Sequence, residues 1–347
     1  MHRREFLNIG LLAPLIVGRG HASERWRTFE VTTRVELRGE PGKTRVWLPV
    51  PASRPRPYQK NVRITWSGSA KARHERLPEG VEVIVADWAA GESPRTLETV
   101  VVVSTRNYHV ALDAPRSRPK PLASTQYLRG TSLIAVDGIV RDTATDITSG
   151  RTTDLAKARA IYDWIVDNTL RDPTVRGCSV GDIRWMLETK TYAGKCADLN
   201  ALYVGLARAA GLPARDVYGV RVAPSTEFSS LGRSGVDVTT AQHCRAEVYL
   251  SEFGWIPVDP ADVAKVRLEE RANGSLGDPH LQRARERLFG AWEMNWVAYN
   301  EGHDVRLPGS MGRPLPFFMY PQAEIDGARV DSLDAERFRY KITAQER

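Results

Sequence analysis

A cysteine, a histidine and an aspartate stand in that order along this chain: Cys196 in GKCADLN, His243 in QHCRAEVYL and Asp259 in GWIPVDP. Thiol, imidazole and carboxylate are the parts of a nucleophilic catalyst, in which the thiolate attacks, the imidazole carries protons and the carboxylate fixes the imidazole. The thiol works only as its anion, so the surroundings of Cys196 decide its use. Read alone, a single cysteine is equally a small buried apolar residue. The elements around it separate the two readings.

After Gly194 and Lys195 the apolar residues Ala197, Leu199, Leu202, Tyr203 and Leu206 recur at helical spacing, and Gly211 with Pro213 ends the run. The spacing predicts a helix from about Cys196 to Ala210, with the cysteine in its first turn. Unpaired N–H groups, the positive end of the helix dipole and the neighbouring Lys195 all favour a thiolate there. They can bring a thiol from about 8.5 into the neutral range.

From His243 to Leu250 the residues alternate, with Cys244, Ala246, Val248 and Leu250 apolar. This predicts a half-buried strand with His243 on its solvent side. In a second strand Ile256 and Val258 point to the apolar side, so Trp255 and Asp259 share the other. A five-residue turn, Leu250 to Gly254, places Asp259 opposite Arg245 and diagonal to His243. The diagonal, about 7 to 8 Å between backbones, is within side-chain reach.

Gly-Lys-Cys opening a helix, His-x-x-x-Glu-Val-Tyr-Leu and Gly-Trp-x-x-x-Asp-Pro together resemble the transglutaminase-like superfamily, a papain-like group of animal transglutaminases, bacterial homologues and peptide N-glycanases. The resemblance covers about residues 150 to 262 and includes the Gly-Leu-Pro-Ala-Arg after the helix. It implies Cys196 as nucleophile, His243 as general base and acid, and Asp259 as orienting carboxylate. Many members carry an aromatic residue two positions after the histidine, and here Arg245 stands there. Arg245 and Trp255 are the candidates for lining the substrate channel. The backbone N–H of Cys196, with the hydroxyl of Tyr192, is the candidate oxyanion site.

The expected fold class is α+β: a papain-like core, with the cysteine helix packed on an antiparallel sheet, preceded by a β-sandwich-like domain. Residues 1–22, with Arg3-Arg4-Glu5-Phe6-Leu7, a short apolar run and Gly20-His21-Ala22, read as a twin-arginine export signal. That run is too short to span a bilayer. Residues 23–120 contain short alternating strands near Phe29 to Leu37, Val46 to Val50, Val62 to Trp66, Val81 to Ala86 and Thr99 to Thr105. A basic, proline-rich linker at Pro115 to Pro121 precedes a catalytic core over 121–265. Residues 266–347 are expected to extend that core. In the core, Thr152 or Thr153 caps a helix. Segment 224–240, polar and glycine-containing, is a candidate mobile lid before His243.

The chain has 347 residues, 42% of them hydrophobic, and a formal charge of +7 that resides partly in the first twenty residues. The remaining basic residues are interspersed with acids, which argues against a nucleic-acid partner and leaves contact with an anionic envelope polymer open. Cys178 and Cys244 either pair in an oxidising compartment or stay reduced and buried. No Cys-x-x-Cys spacing, phosphate loop or dinucleotide fingerprint is present, so no metal and no organic cofactor is expected.

The expected activity is cleavage of peptide or isopeptide amides through an acyl-enzyme, in the periplasm or outside the cell. Glutamine cross-linking is the first alternative. A non-catalytic binding or envelope-assembly module is the second.

Overall fold

A computed structural model describes residues 25–38, 42–115 and 125–347. The signal-like segment and most of the expected linker lie outside the described residues. The fold is α+β, a helical core on one face of a four-stranded sheet joined to a strand-rich half.

The cysteine helix, Cys196–Ala209, runs through the middle of the core. Residues 196 to 208 are all buried, because the run is apolar on almost every side and must be enclosed. Helices Ile139–Thr148, Asp154–Asn168, Ile183–Thr189 and Pro260–Arg271 surround it. Thr153 caps the second of these, its hydroxyl accepting from Ala156 N at 3.1 Å. The cysteine helix gives way at Gly211, whose φ of 84° suits glycine.

The sheet behind that helix is antiparallel, in the order Gly254–Val258, Gln242–Leu250, Ala214–Arg221, Trp296–Asn300. Leu250 pairs with Gly254 and Ala246 with Val258, the register expected from the turn. The expected solvent face is corrected. His243 is 4% exposed, and the strand is buried from His243 to Leu250 on both faces. Its polar side chains meet other side chains on that face instead of water: Arg245 lies between Trp296 and Trp292, Glu247 pairs with Arg215 at 2.6 Å and Tyr249 packs on Trp255. Gly219, opposite His243, permits this closeness, since a Cβ there would stand 2.6 Å from the Trp296 ring.

Two further sheets form the strand-rich half. One runs Phe338–Glu346, Arg27–Leu37, Arg95–Thr105, Gln59–Gly68; the other runs Ala328–Val330, Gln322–Ile325, Thr44–Val50, Glu82–Trp88, Lys71–Arg76. Phe29, Val35, Val46, Ile84, Val103 and Ile342 meet between them in one core. Both sheets therefore take strands from the C-terminal region. The expectation that 266–347 would extend the catalytic core fails for its last twenty-odd residues, whose alternating pattern buries better against the N-terminal strands.

Candidate active site

Cys196 opens its helix and is 3% exposed. The turn before it is held by Asp198, whose carboxylate accepts from Lys195 N at 2.9 Å and from Gly181 N at 3.1 Å. Gly194 leaves room for that carboxylate, which a Cβ would meet at 2.4 Å. The carbonyl of Cys178 accepts from Ala197 N at 3.2 Å, which brings a second cysteine beside the first. The Cys178 thiol donates to Gln242 O at 3.4 Å.

Three groups meet the Cys196 sulfur. Hydrogen bonds from the thiols of Cys178 and Cys244, then from His243, hold its pKa well below the usual thiol range against the opposing effect of burial. Cys178 is pushed up by the same contact and by burial, and Cys244 by burial and by Cys196. All three are free thiols. The mutual contact thus lowers the pKa of Cys196 and raises those of its two neighbours.

His243 Nε2 lies 2.8 Å from Asp259 Oδ2 and 3.4 Å from Asp262 Oδ1. Burial and the Arg221 cation lower the pKa of the imidazole, while Asp262 and Asp259 raise it by more, leaving it above its ordinary value. A protonated His243 in turn helps to lower the Cys196 pKa. The strand carbonyl of His243 accepts from Trp296 Nε1 at 2.9 Å, which fixes the residue from behind.

Asp259 lies one residue past its strand and caps helix Pro260–Arg271, an element absent from the expected layout. Its Oδ1 accepts from Asp262 N at 3.1 Å while Oδ2 faces the imidazole. Burial and Asp262 raise its pKa. Asp262 itself is held well below the carboxylate range: burial opposes this, and Arg221, at 2.6 Å, dominates. His243, Asp259 and Asp262 offer three ligand atoms within 4.8 Å of one another. Arg221 and Arg245 already balance the two carboxylates, which leaves a cation little to gain.

Sequence reasoning did not single out Asn200. It follows Cys196 by one helical turn, and its Nδ2 donates to Cys244 O at 2.8 Å and Asp259 Oδ1 at 3.2 Å. The i, i+4 spacing from the cysteine was a readable signal. Asp262 was hidden because it belongs to the unexpected helix, and nothing in the sequence tied Cys178 to Cys196.

Cys196, Cys178, Gln242 and His243 line a cavity of about 420 Å³. Gly232, Arg233, Thr239 and Thr240 form one wall, and Tyr320, Leu333 and Tyr340 form another. Segment 224–240 is thus a wall rather than a loose lid. Phe228, Leu231 and Val238 are buried, Ser230 bonds Glu270, Glu227 pairs with Arg287, and Val238 N donates to Ile342 O at 2.9 Å.

The structure does not bring Tyr192, Arg245 or Trp255 to this cavity. The Tyr192 ring packs on Trp164 at 5.7 Å. Arg245, 2% exposed, has its Nε 3.5 Å from Asp259 with no hydrogen bond between them, donates from Nη1 to Glu293 O at 3.0 Å, and has its pKa lowered by burial to about 10. Trp255 lies near the far end of the sheet, beneath Arg215 at 4.0 Å. The alternation that puts Arg245 and Trp255 on the face of His243 is real, but they sit farther along it, away from the cavity.

Residues 141–260 match the model of the transglutaminase-like superfamily. An uncharacterized protein of Haemophilus influenzae is 35% identical over 344 residues, covering 94% of this chain and 91% of that one. A crystal structure from Cytophaga hutchinsonii, named as a candidate cysteine protease, superposes with a TM-score of 0.54 at 15% identity over 92% of this chain and 98% of that one. The periplasmic domain of TgpA from Pseudomonas aeruginosa gives a TM-score of 0.34 at 15% identity, over 76% of this chain and 94% of that one. With the matched core spanning the cysteine helix and the histidine strand, this chain belongs to the transglutaminase-like superfamily.

Proposed function

We propose that this protein is an exported thiol enzyme that cleaves peptide or isopeptide amides through a Cys196 acyl-enzyme. The observation that carries this reading is the placement of Cys196 at a helix start and His243 on one cavity, with Asp259 behind the imidazole at 2.8 Å. In the first step the thiolate adds to the amide carbonyl and His243 gives its proton to the leaving amine, leaving a thioester. In the second, His243 takes a proton from water, which adds to the thioester and releases acid and thiolate. Asp259 keeps the imidazole oriented through Nε2, so its other nitrogen serves the sulfur.

The oxyanion needs donors. The N–H of Cys196 at the helix start is one. Gln242 Nε2, buried, without a partner among the described residues and on a residue that lines the cavity, is the second in place of Tyr192. Export is proposed from the twin-arginine pattern alone. Among the described residues no helix is long and apolar enough to cross a membrane.

Mass spectrometry of the protein with a panel of acyl donors, with and without added amine, tests this. The expected result is a mass increase on Cys196 that decays by hydrolysis. Amine capture as the dominant fate would make it a transferase, and no adduct with any donor would remove the reading.

A further inference from the structure

Among the described residues the cavity beside Cys196 is lined by six cations, Arg171, Arg176, Lys195, Arg221, Arg233 and Lys265, and by no carboxylate. Two of the six are committed to the scaffold. Arg221 is buried on Asp262, and Lys265 donates to Ser230 O at 2.6 Å with Glu269 at 3.7 Å. The other four are less occupied. Arg171 has Glu269 at 3.5 Å, and Arg176 has the half-exposed Asp331 at 2.7 Å. Lys195 and Arg233 donate to the backbone carbonyls of Val175 and Asp237. Neither has a carboxylate within ion-pair distance among the described residues.

These four come from three separate segments. Arg171 pairs in register with Gly194, two residues before the cysteine. Arg176 stands two residues before Cys178, Lys195 precedes Cys196, and Arg233 belongs to segment 224–240. A concave site with charge of one sign concentrates ligands of the other sign and rejects its own.

Resting on the proposed amide chemistry, we infer that the substrate is an acidic peptide, with carboxylates flanking the carbonyl that Cys196 attacks. Arg171, Arg176 and Arg233 would then receive these carboxylates, and a lysine-flanked peptide would meet uncompensated like charge.

The test is equilibrium binding of non-reactive peptide amides to full-length Cys196→Ala, which needs no turnover. Three peptides of equal length, flanked by glutamate, alanine or lysine, are compared at low salt and at high salt. The glutamate peptide should bind about tenfold tighter than the lysine peptide. That advantage should shrink as salt screens it. Charge reversal at Arg233→Glu or Arg176→Glu should narrow the ratio.

Equal affinities, a reversed order, or a ratio that neither reversal changes would overturn the inference. A polyphosphate that binds more tightly than the glutamate peptide would overturn its peptide part. Wild-type enzyme that acylates with no donor defeats the proposed activity instead, and leaves the binding ratio to be read independently.

Discussion

Cys196 has its pKa held down and His243 has its pKa raised, and both directions favour an ion pair of thiolate and imidazolium. It is lost at low pH, when the sulfur is protonated, and at high pH, when the imidazole gives up its proton. Alkylation of Cys196 by iodoacetamide should therefore be nearly flat from pH 6 to 7, where an ordinary thiol of pKa about 8.5 slows about tenfold per unit. Cys178 and Cys244 should stay unlabelled there, and three sulfurs reacting alike would contradict the selection of one. Cys196→Ala should abolish turnover and leave the melting temperature nearly unchanged. Asp259 does two things at once, which its substitutions separate. Asn still caps the helix but cannot hold the imidazolium, so turnover should fall about 10³- to 10⁴-fold. Ala loses the cap as well, and in denaturant titration it should be less stable than Asn by about 1 kcal/mol. Nearly full activity in Asp259→Asn would show that the carboxylate is only a cap.

At the level of elements, the cysteine helix and the hairpin that carries His243 were legible because their periods are strict and their ends are marked by glycine and proline. Even the hairpin register was readable, since sharing a face requires an even sum of paired residue numbers. Exposure was not legible. A polar face reads the same whether it meets water or Arg215, Trp292 and Trp296, all distant in sequence. Helix Pro260–Arg271 was missed because Asp-Pro reads as a turn while also being a good helix start. Segment 224–240 shows the same blindness, because its anchors Ile342, Glu270 and Arg287 lie elsewhere in the chain. The amides of Ser230, Arg233 and Val238 should accordingly exchange slowly, and complete exchange within seconds would restore a mobile lid. Asn200 joins two of these elements. Asn200→Ala should lower kcat about tenfold with KM little changed, because it loosens Asp259 without touching the cavity, and a rise in KM alone would refute a positioning role.

Across the whole molecule, the strand-rich half and the catalytic half share their supports. Strand Phe338–Glu346 puts Phe338, Ile342 and Ala344 into the sandwich core and Tyr340 into the cavity wall. Deleting it removes apolar burial worth about 5 kcal/mol. A typical domain has about 5 to 15 kcal/mol in total. A chain ending at residue 336 should therefore lose both its cooperative melt and the selective labelling of Cys196, and survival of either would count against one shared fold. The pairing of Phe29 with Glu346 carries a further meaning for synthesis. On the ribosome most domains fold from their beginning as they emerge. Here one edge of the first strand pairs early with Arg95–Thr105, while the other waits for a strand more than three hundred residues later, which also brings Tyr340 to the cavity. A nascent chain therefore carries the thiol, histidine and aspartate well before strand Phe338–Glu346 closes the sandwich and adds Tyr340 to the cavity lining.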